Sequence, residues 1–66
     1  MEVLDLLLGL LEQGVSIQYM NRESDGKFWC ELKLPDGQQA VGSGPKAADA
    51  LGHAMNRAYD LMEAAT

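Results

Sequence analysis

The sequence predicts an α+β fold: a three-stranded antiparallel sheet with two helices on one face, in the order α-β-β-β-α, built from residues 1–66 as one domain. Three observations predict it. Apolar residues recur with the 3.6-residue period at both ends of the chain, at Val3, Leu4, Leu7, Leu8 and Leu11 and again at Ala47, Ala50, Leu51, Ala54, Met55, Ala58, Leu61, Met62 and Ala65. Between these segments the period drops to two, in "VSIQYM" and "FWCELKL". The alternating runs are separated by "SDGK" and "PDGQ", whose glycines supply the positive φ that tight turns need.

Residues 2–13 read as the first helix, stopped by Gly14 just past its end. Its apolar residues spread over an arc of roughly 200°, about twice the width of one buried stripe. Leu6 and Leu10 lie at the margin of that arc and are surplus to a simple core face, as a wider core or a surface for self-association. Glu2, Asp5 and Glu12 occupy the other side, with no Lys or Arg on the helix. In "VSIQYM", Val15, Ile17 and Tyr19 face one way and Ser16, Gln18 and Met20 the other, the pattern of a half-buried strand. In "FWCELKL", Phe28, Cys30, Leu32 and Leu34 form the core face, and Trp29, Glu31 and Lys33 the open one. "QQAVG" is a third, weaker strand. Pro45 then opens a long helix to about Ala65, with Ser43 or Gly44 as N-cap. Its alanine stripe permits close approach to the sheet, while Lys46, Asp49, His53, Asn56, Arg57, Asp60 and Glu63 form the far face.

Composition narrows the class. Apolar residues make up 47% of the chain, enough for a core and too many for a disordered tail. A chain this short buries only about 60% of its unfolded surface, so its margin of stability is thin. A single cysteine excludes a disulfide framework and fits a reducing compartment. "LDLLLGLL" has no basic residue before it and is too short to span a bilayer, so a cytoplasmic protein without membrane contact is expected. The net charge of −5 opposes binding to phosphate backbones and suits a partner with a basic surface. Solubility alone also accounts for an acidic surface.

The stretch "GSGPKAADALGHAM" resembles the closing segment of double-stranded-RNA-binding domains, which runs roughly G-x-G-x-S-K-K-x-A-K-x-x-A. Gly42, Gly44, Ala50 and Ala54 stand at the family's small positions. Its phosphate-binding lysines would fall on Ala47, Ala48 and Leu51, leaving only Lys46, displaced by one. The loop that enters the minor groove in that family is here "NRESDG", with Glu23 and Asp25, and the first helix carries Glu2, Asp5 and Glu12. The resemblance implies the α-β-β-β-α frame. The missing lysines imply no direct nucleic-acid binding. A weaker resemblance, to antitoxins of the HicB kind, rests on a strand pair preceding a "G-x-x-x-x-x-A" helix.

Catalytic chemistry is not suggested. One His and one Cys do not make a zinc site, Cys30 is on the core face, and His53 is on the polar side of its helix without a partner spacing for acid–base work. No cofactor, metal or enzymatic activity is expected. The candidate partner-binding residues are therefore on the surface: Trp29 on the open sheet face, and the acidic residues Glu2, Asp5, Glu12, Glu23, Asp25, Asp49, Asp60 and Glu63. Trp29 would stand beside Met20 and Gln18; it otherwise covers the sheet edge, or the strand phase is reversed. Carboxylates spaced along a rigid frame can imitate a line of phosphates. In size, acidity and lack of catalytic residues the chain resembles phage anti-CRISPR proteins, which bind Cas subunits and block DNA recognition. That resemblance implies an acidic inhibitor of a nucleic-acid-handling complex. The alternative is an oligomerisation or antitoxin-like interaction module. A monomer or weak homodimer is expected in either case.

Overall fold

The computed structural model describes residues 2–64. Helix α1 (Glu2–Glu12) is closed by a Schellman motif. Gly14 takes φ 96°, its N–H donates to the Leu11 carbonyl at 3.0 Å, and the Val15 N–H reaches back to the Leu10 carbonyl at 3.0 Å. The motif brings Leu10 and Val15 together, and both are buried in the core.

Strands β1 (Ser16–Arg22), β2 (Phe28–Lys33) and β3 (Gln39–Gly44) form an antiparallel meander in the order β1-β2-β3. Its two turns are near copies. The Glu23 N–H donates to the Lys27 carbonyl (2.7 Å) and the Leu34 N–H to the Gln38 carbonyl (2.8 Å). In each, an aspartate Oδ1 accepts the N–H two residues on: Asp25 from Lys27 (2.9 Å) and Asp36 from Gln38 (3.0 Å). Gly26 and Gly37 follow these aspartates at φ 87° and 94°.

Register assigns the two sheet faces. On the helix-bearing face, Ile17, Leu32 and Ala40 form one row, Met20, Cys30 and Gly42 the next, and Arg22, Phe28 and Gly44 the third. On the open face, Tyr19, Glu31 and Val41 form one row, and Asn21, Trp29 and Ser43 another. A bulge between Ile17 and Tyr19 inserts Gln18, whose Nε2 donates to Ser16 Oγ at 3.0 Å. The expected alternation is corrected by it. Tyr19 joins Ser16 on the open face, and Met20 joins Ile17 on the helix side. All of β1 is exposed, so it is not the half-buried strand the pattern predicts. The reason is coverage: the second helix lies over β3 and β2, leaving the helix side of β1 open.

Helix α2 (Ala47–Ala64) begins two residues later than expected. The Lys46 carbonyl accepts from the Asp49 and Ala50 N–H groups (3.1 and 3.2 Å), so the first helical turn is organised from Lys46 rather than from Ser43 or Gly44. Ala65, expected in the apolar arc, lies outside the described residues, and Ala47 is exposed. Strand β3, read as the weak one, is the one most closely packed by α2. A Cβ at Gly42 would overlap the Ala50 carbonyl and the Ala54 nitrogen, and one at Gly44 would come within 2.6 Å of Asp49 Cβ. These glycines and the alanine stripe let the helix backbone lie against the strand. The core is Leu10, Val15, Cys30, Leu32, Leu34, Ala40, Ala50, Ala54, Met55 and Ala58.

Helix α1 also departs from expectation. Leu10, read as surplus, is fully buried; Val3, Leu4, Leu8 and Leu11, read as core, are exposed. The Schellman closure fixes the rotation of the helix by tying Leu10 to Val15, which keeps Leu7 against the core and turns Leu4, Leu8 and Leu11 outward. The Tyr59 hydroxyl donates to the Leu6 carbonyl at 3.2 Å and joins α1 to α2, while the Leu6 side chain remains exposed.

Candidate functional site

Around α1, at about 100° per residue, three sides can be distinguished. Leu7 and Leu10 face the core. Glu2, Asp5 and Leu6 line a cleft of about 340 Å³ whose opposite wall is Tyr59 of α2. Leu4, Leu8 and Leu11 form a separate exposed flank, with Leu4 at 53% and Leu8 at 47% exposure.

The cleft joins two carboxylates, an aliphatic side chain and a phenol ring. Apolar carbon beside carboxylates is the kind of surface on which Lys and Arg side chains lay their stems and pair their charges. The phenol hydroxyl is held by the Leu6 carbonyl, which fixes Tyr59 in the wall. Tyr59 was not among the sequence candidates. It lies on the partly buried side of a helix whose apolar period is otherwise alanine, leucine and methionine, and only the approach of α1 makes it part of a surface.

The other predicted residues are distributed over the molecule. Glu12 is exposed at the end of α1. Glu23 and Asp25 are exposed in the first turn but have local duties. Glu23 Oε2 accepts from the Tyr19 hydroxyl at 3.2 Å, and Asp25 Oδ1 holds the turn. Asp49 is half-buried in the first turn of α2, against Gly44, and is the least available of the acids. Asp60 and Glu63 are exposed toward the end of α2. Trp29 is 38% exposed and stands on the open sheet face between Asn21 and Ser43. Its expected neighbours are corrected: the bulge turns Met20 to the opposite face. The candidate residues therefore form no single patch, since Trp29 and the α1 acids are on opposite sides of the sheet layer.

Cys30 is fully buried, and desolvation pushes its thiol above the ordinary value of 9.0. It is a protonated core side chain. The His53 ring is exposed but anchored, with Nδ1 donating to the Ser43 carbonyl at 2.7 Å. Of the positions where the resemblance places RNA-binding lysines, Ala47 and Ala48 are exposed and Leu51 is half-buried against the core. Among the described residues no group of three or more His, Cys, Asp or Glu side chains is placed to hold a metal ion. Nor is any helix among them long and apolar enough to cross a membrane.

No protein-family model, curated protein or solved structure matches the chain.

Proposed function

We propose that this protein is a small acidic protein-binding inhibitor that occupies the basic surface of a nucleic-acid-handling protein and keeps nucleic acid from it. The observation that carries this reading is the acidic cleft between α1 and α2, where Glu2, Asp5 and Leu6 of α1, a helix without Lys or Arg, face Tyr59 of α2. A basic groove that binds phosphates presents Lys and Arg side chains of the kind this cleft accommodates. The overall charge of −5 steers such a groove toward the protein and opposes nucleic acid binding by the protein itself. The anti-CRISPR-like form of the reading, a cytoplasmic phage protein acting on a Cas subunit, is the specific version proposed. It rests on size, acidity and the absence of a catalytic constellation. Glu12, Glu23, Asp25, Asp60 and Glu63 would extend the acidic field, and Trp29 offers a contact only to a partner that reaches the open face.

The experiment is an affinity capture from bacterial lysate, with wild type and the Glu2→Lys/Asp5→Lys variant as paired baits, at low and high salt. Nucleic-acid-handling proteins retained by wild type, lost with the variant and weakened by salt are the expected result. Equal retention by both baits would refute the role of the cleft.

A further inference from the structure

We infer that both outer edges of the sheet are closed to strand addition by the chain's own side chains, with Asn21 and the bulge at Gln18 blocking β1 and His53 blocking β3. The inference concerns the sheet edges and does not depend on the inhibitor reading.

Hydrogen-bond phase shows which backbone groups point outward. β1 and β3 are the outer strands. In antiparallel pairing, opposed residues alternate between bonded and non-bonded pairs. The Leu34 N–H bonds to the Gln38 carbonyl, so Leu32–Ala40, Cys30–Gly42 and Phe28–Gly44 are the bonded pairs between β2 and β3. The Glu23 N–H bonds to the Lys27 carbonyl, which makes Asn21–Trp29 and Tyr19–Glu31 the bonded pairs between β1 and β2. Met20 and Arg22 therefore aim their N–H and C=O groups at the free edge of β1, and beyond the bulge Ile17 does so too. Val41 and Ser43 aim theirs at the free edge of β3.

Rows of outward backbone groups invite a strand from another chain. β1 is the more inviting edge: seven residues long and exposed throughout, with Ile17, Tyr19 and Met20 as its exposed apolar side chains. Three features oppose pairing there. Asn21 Oδ1 accepts the Arg22 N–H at 2.8 Å, which takes an outward donor out of use. The bulge spaces Ile17 and Met20 three apart, where a straight incoming strand needs two. Arg22 puts an exposed charge on the helix-bearing side, where an added strand would have to extend the apolar layer.

On β3 the blocking group comes from a helix. His53 of α2, whose Cβ lies over Gly42, donates from Nδ1 to the outward Ser43 carbonyl at 2.7 Å. One edge thus has a donor capped and the other an acceptor. A partner is left with side-chain surfaces to contact rather than a backbone edge.

Amide hydrogen exchange followed by NMR tests this on the whole chain, with sedimentation velocity alongside, from about 10 µM to about 1 mM, where unpaired strand edges associate. Asn21→Ala with Gln18 deleted opens β1; His53→Ala opens β3 and keeps the Cβ over Gly42. In wild type, the outward Met20 and Val41 N–H groups should exchange at rates independent of concentration. In the opened β1 variant, Met20 should slow at least about tenfold at the top of the range as the mass rises, and Val41 should do so in His53→Ala. Association through any other surface leaves these two amides unchanged, so the readout belongs to the edges. Wild-type protection at either amide that grows with concentration overturns the inference. So does either opened variant that keeps its fold and shows no such growth. Should the Gln18 deletion not fold, Asn21→Ala alone decides. Arg22 should then exchange at least about threefold faster at low concentration, and Met20 should slow at least about threefold at high concentration. Unchanged rates at both overturn the inference.

Discussion

Gly42 and Gly52 lie on either side of the same packing problem. At Gly42 an added Cβ would meet the α2 backbone and come within 2.8 Å of His53 Cβ, whereas at Gly52 nothing lies within 4 Å. Gly42→Ala must therefore push the helix off the strand. It should cost about 3 kcal/mol, and a domain of this size should lose at least about 10 °C in Tm. Gly52→Ala should gain about 0.5–1 kcal/mol through helix propensity alone. Opposite shifts in paired circular dichroism melts are expected, and a stable Gly42→Ala would mean that α2 does not lie so close to β3. Gly42 was legible in the sequence as part of the G-x-G pattern. Tyr59 was not, because its importance comes from a neighbour distant in the chain. Cys30 gives a pH prediction. Burial raises its folded thiol pKa above the unfolded value near 9, so the thiol's contribution is fully present below pH 9 and is lost as pH rises through the raised value. Wild type should lose stability above pH 9 more steeply than Cys30→Ala. Identical slopes would contradict the burial of the thiol.

At the scale of elements, the turns were legible and the bulge was not. "SDGK" and "PDGQ" carry their mechanism locally, in an aspartate that accepts the N–H two residues on and a glycine with positive φ. The bulge is invisible in the pattern because Val15, Ile17 and Tyr19 alternate equally well in a regular strand; what moves Tyr19 is its pairing with Glu31. Deleting Gln18 should leave Ile17 opposite Leu32 and Tyr19 opposite Glu31 as a regular ladder, with a melting change within about 1 kcal/mol. Collapse of the fold on deletion would show that the bulge is structurally required. The rotation of α1 was illegible for a related reason. With apolar residues around more than half of its circumference, periodicity cannot choose the buried side; the Schellman closure chooses it by pairing Leu10 with Val15. Trp29 belongs to the open sheet face whichever side the partner takes. Its emission should be quenched by iodide, and Trp29→Ala should barely alter stability. A loss of about 2 kcal/mol in partner binding on that substitution would move the contact from the cleft to the sheet.

For the whole molecule, the α-β-β-β-α frame follows from period changes and turn chemistry, and the structure has it. The frame of the resemblance is kept with Ala47, Ala48 and Leu51 where lysines would meet RNA, so no double-stranded RNA binding is expected at physiological salt. A titration with micromolar affinity and a steep salt slope would contradict that. What the sequence could not supply was the grouping of the acids: it marked eight of them, and the fold brings Glu2 and Asp5 together with Leu6 and Tyr59 while assigning Asp25 to a turn. On the proposed function, this cleft recognises a cationic side chain of a protein partner. Such recognition is tested most directly by the affinity of a captured partner for wild type, for Glu2→Lys/Asp5→Lys and for Tyr59→Leu, measured at two salt concentrations with melts as folding controls. A loss of at least about tenfold for the charge reversal, about 1.4 kcal/mol, a smaller loss for Tyr59→Leu, and a wild-type affinity that falls with salt are expected. Affinities that are equal across the three proteins and insensitive to salt would contradict it.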